Sequence, residues 1–138
     1  MSVLGTGLIR ALSPSVSRFV QASPEEAWAL ISRTTSWPGW GPTISAVEPV
    51  DAAISLSMRG RVRTPLGLWL PFRITAFDPP RSWAWSVLCI PATSHSIAPA
   101  PGGCRIRFAV PAPAVAYLAV CHLALERIAG LLEAPGEG

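Results

Sequence analysis

The chain has 138 residues, half of them hydrophobic and 14% charged, which suits one domain with a real core and excludes disorder. The net charge of +3 comes from eleven scattered arginines and no lysine, and that scatter argues against a nucleic-acid partner. Cys89, Cys104 and Cys121 form neither a CxxC pair nor a Cys/His metal spacing, so the expectation is reduced thiols, a cytoplasmic location and no metal or other cofactor. The N-terminal MSVLGTGLIRAL lacks a basic lead and is broken by Gly5, Gly7 and Arg10, so it does not read as a signal peptide. No apolar run is long enough to span a bilayer, and no membrane partner is expected.

Residues 14–22 alternate as a first strand. Ser23-Pro24-Glu25-Glu26 then predicts a helix start: Ser23 as cap, Pro24 at the first position, Glu26 reaching back to the cap amide. That helix should run to about Arg33 and bury Ala27, Trp28, Leu30 and Ile31. Trp37 to Pro42 holds two prolines and two glycines and fits only a short helical turn or a loop. A strand follows near 43–50, and then ISLSMRGRVR alternates strictly. Leu56, Met58, Gly60 and Val62 share one face, with Ser57, Arg59, Arg61 and Arg63 on the other. After the turn Thr64–Gly67, Leu70, Phe72, Ile74 and Ala76 line the inner face of the next strand.

The stretch Phe77–Phe108 continues the meander. Asp78-Pro79-Pro80 turns the chain, with Asp78 as its cap. Trp83 and Trp85 share a face, and His95 shares one with Ile97. A last strand spans Cys104 to Val110, and Pro111 and Pro113 stop the sheet. Residues 113–134 then predict a helix of about six turns. Val115, Leu118, His122, Leu125, Ala129 and Leu132 form one stripe; Tyr117, Cys121, Ile128 and Leu131 form the next. Val120 and Leu123 fall on the third face, with Arg127 its only charge. A helix apolar nearly all round is buried on several sides or meets another copy, so a homodimer or larger assembly is expected.

The order is strand, two short helical segments, six strands and a long helix. It resembles the helix-grip fold of the START-like (SRPBCC) superfamily, and within it the polyketide cyclase/dehydrase family. The resemblance covers about residues 14–134 and rests on ASPEEAW at 22–28, Trp40, FDPPRSWAW at 77–85, and His95-Ser-Ile-Ala-Pro with Gly103-Cys-Arg-Ile. It implies an α+β fold, a curved antiparallel sheet wrapped around a long C-terminal helix with an internal cavity, as a single START-like domain over 1–138. The resemblance also implies an apolar small-molecule ligand. No reaction follows from it, because fold does not carry function.

His95 is the candidate catalytic residue: a neutral imidazole on the cavity side can act as a base or donor, or simply be a buried histidine satisfied by backbone or Ser94 or Ser96. Tyr117 and His122 can face it from the helix, where a pair would move a proton; otherwise they pack. The expected ligand-binding set is Trp40, Met58, Phe72, Trp83, Trp85, Phe108, Tyr117, Leu118 and His122, though its tryptophans suit a core as well as a pocket wall. The Arg59, Arg61, Arg63 and Arg73 stripe reads as a solvated face or a docking site for an acidic carrier protein. Cys104 and Cys121 read as small core residues, with nothing beside them to activate a thiolate. There is no paired-carboxylate motif, nucleotide loop or metal motif. The leading expectation is a small biosynthetic enzyme, a cyclase or dehydratase of lyase or isomerase type, that folds a polyketide-like substrate mainly by shape with help from His95. The alternatives are a non-catalytic carrier or sensor of a hydrophobic small molecule, and a structural module pairing through its helix.

Overall fold

Ser23 turns the chain from strand to helix. In the computed structural model, which describes residues 13–133, β1 (Ser15–Val20) leads into the Ser23 cap and α1 (Pro24–Ile31). The Ser23 hydroxyl accepts from the Glu26 amide at 3.0 Å, and the Glu26 carboxylate accepts from the Ser23 amide at 3.0 Å. Two amides that a helix start leaves bare are thus satisfied. Ala27 and Ile31 are buried; Trp28 and Leu30 are half-buried. A 3-10 turn (Thr34–Ser36) and α2 (Trp37–Trp40) follow, the short helical piece that the Pro/Gly-rich stretch allows.

Six strands come next: β2 (Ala46–Glu48), β3 (Arg59–Arg63), β4 (Trp69–Asp78), β5 (Ser82–Val87), β6 (Ile90–Ala100) and β7 (Gly103–Ala109). The seven strands form one antiparallel sheet in the order β1-β7-β6-β5-β4-β3-β2. After a 3-10 segment (Ala112–Tyr117), α3 (Leu118–Glu133) packs mainly on β1 and also touches β7 and the two short helices. This is the α+β helix-grip architecture: a curved sheet closed around a C-terminal helix. Gly60 is where two strands and a ring meet. A Cβ there would collide with the Glu48 carbonyl oxygen and lie 2.7 Å from Phe72 Cζ, so no larger residue fits without moving backbone.

Several local expectations are corrected. The strand expected at 43–50 is only Ala46–Glu48, which frees Thr43 and Ile44 for another use. The alternation from Ile54 is not all strand. Ser57 takes a positive φ of 68°, Leu56 is exposed, and β3 begins at Arg59. A bulge in β4 between Ile74 and Ala76 shifts the parity by one residue. Ala76 therefore points out, and Phe77 turns in against Trp28, ring centroids 5.9 Å apart.

The last helix is shorter than expected. Residues 112–117 are 3-10, with a non-helical Ala114 (φ −102°, ψ 27°) after Pro111 and Pro113. The buried stripe of α3 is Cys121, Ala124, Leu125, Ile128 and Ala129. His122 is exposed and Leu118 half-buried. Val120 turns partly inward, so the apolar third face is narrower than expected. Val115 lies outside the described side chains, and residues 1–12 and 134–138 lie outside the described residues. No helix among the described residues is long and apolar enough to cross a membrane.

Candidate functional site

The inner face of the sheet is paved with aromatic rings. Trp37 from α2 stacks on Trp83 of β5, centroids 5.3 Å apart and planes 7° apart. Trp37 also meets Phe72 at 5.4 Å and Trp85 edge-on at 5.3 Å. His95 of β6 stacks on Trp83 at 3.9 Å, takes Phe108 of β7 edge-on at 4.6 Å and Trp40 edge-on at 6.2 Å. Strand register causes this, because Trp83 faces His95 and His95 faces Phe108 directly across the ladder.

His95 is buried, and both of its nitrogens are engaged. Nδ1 lies 3.2 Å from the Trp83 carbonyl oxygen, and Nε2 lies 2.8 Å from Thr93 Oγ1. Burial pushes its pKa from 6.5 down to about 3, against a small upward pull from the Trp83 carbonyl. The imidazole is therefore neutral at physiological pH. Trp85 Nε1 donates to Thr93 Oγ1 at 2.9 Å, so Thr93 links two aromatic residues. Trp83 Nε1 is buried with no hydrogen-bond partner among the described residues.

These rings occupy the space that the sequence assigned to a ligand. Only a gap of about 30 Å³ remains beside Trp40, Trp83, His95 and Phe108. The larger cavity, about 340 Å³, lies further along, toward the end of the sheet where β3, β5 and β7 finish. Its walls include Val62, Leu70, Trp85, Val87, Ala92 and Val110. A bulge beside Trp85 makes this possible: two β6 residues, Ala92 and Thr93, stand where one would, and both reach the cavity. Thr43, Ile44, Trp85, Thr93 and Tyr117 line both spaces and so form the partition between them.

The expected residues are therefore divided. Trp85 and Tyr117 line the larger cavity; Trp40, Trp83, His95 and Phe108 border only the small gap. Phe72, Met58 and Leu118 border neither space, and the exposed His122 is turned away from His95. The physical reason is volume: the tryptophans fill the concave face, leaving room only where smaller side chains follow. Thr93 also reaches the cavity; it sits two residues before His95 on the same strand face, where alternation alone places it. Thr43 and Ile44 reach it as well, because they lie in the loop before β2 and not in the expected strand.

Among the described residues no charged side chain lines the larger cavity. The described lining residues bring the hydroxyls of Thr43, Thr64, Thr93 and Tyr117 and the indole N–H of Trp85. Tyr117 and Thr43 share a hydrogen bond of 2.8 Å that ties the 3-10 segment to the loop before β2. Burial pushes the Tyr117 pKa up, so the phenol stays protonated. Cys104 and Cys121 are buried, and burial raises Cys121 to about 11, so neither is a poised nucleophile. Arg59, Arg61, Arg63 and Arg73 are exposed; Arg61 pairs with Glu48 at 2.7 Å and covers Trp69. Among the described residues no group of His, Cys, Asp or Glu could hold a metal ion.

A family model described as polyketide cyclase / dehydrase and lipid transport matches residues 12–133. No curated protein matches the chain. Solved structures share the fold at low identity. Protein MLL2253 from Mesorhizobium loti is 14% identical with a TM-score of 0.71, covering 88% of this chain and 96% of its own. The Aha1 dimer from Colwellia psychrerythraea is 14% identical with a TM-score of 0.71, covering 92% and 99%. XoxI from Bacillus cereus is 16% identical with a TM-score of 0.66, covering 87% and 94%.

Proposed function

The chain belongs to the polyketide cyclase / dehydrase and lipid transport family, and from that premise we propose that it binds a small, neutral, mainly apolar molecule in the cavity at the end of the sheet. One observation carries this reading: the described residues that wall the cavity bring apolar side chains and hydroxyls and no charged group. A charged ligand would leave its hydration there without compensation. At about 340 Å³ the cavity falls at the small end of ligand sites. The chain's role is that of a carrier or sensor, because His95, its candidate base, has both nitrogens committed and a pKa near 3. A general base needs a free lone pair within reach of the substrate and a pKa near the working pH. Titration with the neutral fluorophore N-phenylnaphthylamine tests the reading. Ala92→Trp fills the cavity wall and should weaken that binding about tenfold or more, with the circular dichroism unchanged. Equal binding by wild type and variant would remove the cavity from consideration.

Cyclisation or dehydration of a polyketide-like substrate is the second reading, and the Thr43–Tyr117 hydroxyl pair at the cavity wall favours it. Catalysis would then come chiefly from holding one reactive conformer. Self-association belongs to the proposal as well, since Leu123 and Leu131 stay exposed on α3, at 44% and 52%. Light scattering should give the mass of a dimer or larger assembly; a stable monomer at high micromolar concentration would count against it.

A further inference from the structure

The hydrogen bonds beneath the cavity have only one consistent direction. The Trp83 carbonyl can only accept, so His95 Nδ1, 3.2 Å away, carries the ring's single proton. Nε2 is then a bare acceptor, and the Thr93 hydroxyl must give it its proton across 2.8 Å. Trp85 Nε1 can only donate, and it occupies one lone pair of Thr93 Oγ1. The second lone pair has no partner among the described residues, and Thr93 lines the cavity. The opposite tautomer would set the Nδ1 lone pair against the carbonyl lone pairs of Trp83 and free the Thr93 proton. Resting on the binding reading above, we infer that Thr93 presents an acceptor and no donor to the ligand, and that the Thr93 end of the cavity favours an apolar molecule bearing a hydrogen-bond-donating hydroxyl, an alcohol or a phenol, over its ether or ketone counterpart. His95 is here a positioning residue: it never touches the ligand but fixes which way the Thr93 proton points. This gives a role to a buried histidine that is unsuited to proton transfer.

Two measurements test the inference. Nitrogen-15 spectra of histidine-labelled protein report the His95 tautomer, and the Nδ1-protonated form is expected. Competition against N-phenylnaphthylamine with naphthol, methoxynaphthalene and acetylnaphthalene reports the preference. Naphthol should bind about three- to tenfold more tightly than the other two, the worth of one neutral hydrogen bond. Thr93→Ser should keep that preference and Thr93→Val should lose it. Tyr117→Phe should also keep it, which separates Thr93 from the other hydroxyl pair. An Nε2-protonated His95, equal affinities, or tighter acetylnaphthalene would overturn the donor preference while leaving the binding reading intact. No binding of N-phenylnaphthylamine or any naphthalene would sink both. If Thr93→Val does not fold, the tautomer, Thr93→Ser and the wild-type ranking still decide.

Discussion

Trp37→Ala should cost about 3–5 kcal/mol of stability, as expected for a large aromatic side chain removed from a packed interior. Trp37 is fully buried and touches the rings of Phe72, Trp83 and Trp85 at once. Its Nε1 also donates to the Ile31 carbonyl at 3.0 Å, tying α2 to the end of α1. The substitution thus opens a void, removes a stacked partner from Trp83 and leaves a helix-end carbonyl bare. Because ordinary domains are stable by only about 5–15 kcal/mol, much of the margin would go. Urea unfolding followed by fluorescence reads the loss, and an unchanged slope would show that the folded state keeps its compactness. A loss below about 1 kcal/mol would mean that the cluster repacks freely. The concave face would then be a soft wall able to admit ligand, and not the filled core described here.

Much of this face was legible as period-two alternation. Trp83 with Trp85, and His95 with Ile97, share faces as alternation requires, and all four are buried. The capping box at Ser23 was equally plain, because cap, proline and glutamate stand at fixed offsets. Parity failed at the two bulges. The extra residue after Ile74 turned Ala76 outward, and the one beside Trp85 brought Ala92 to the cavity. Nothing in a local window marks such a residue, since it depends on the pairing with the neighbouring strand. The cavity was misplaced for a different reason. Alternation tells which side chains point inward but not whether their summed volume fills the concavity. With Trp37, Trp40, Trp83 and Phe108 all on one side, it does. Helical phase misled at His122. Its apolar neighbours Leu118 and Leu125 suggested a buried stripe, but the stripe that meets β1 and β7 runs through Cys121, Leu125 and Ile128.

The buried imidazole should make the protein acid-sensitive over a definite range. His95 has an ordinary pKa of 6.5 when unfolded and about 3 when folded. Between those values the unfolded chain binds a proton that the folded chain refuses, so stability falls as pH falls. Above pH 6.5 neither state is protonated and no loss occurs. Below it the slope approaches about 1.4 kcal/mol per pH unit, giving a loss of about 2 kcal/mol by pH 5. The range from pH 6.5 to 5 is the informative one, because it lies above the usual carboxylate pKa values of about 4. The groups around the imidazole do not compete there. Its ring neighbours Trp40, Trp83, Trp85 and Phe108 do not titrate, while Tyr117 and Cys121, which share the adjoining gap, are both shifted upward by burial. His95→Phe removes the titrating group and keeps a ring in the stack. The variant should be less stable at neutral pH, since Thr93 loses its acceptor, yet flat between pH 6.5 and 5. Urea midpoints across that range for both proteins decide the matter. A wild type as flat as the variant would mean that water reaches His95, which would restore the histidine as a candidate base.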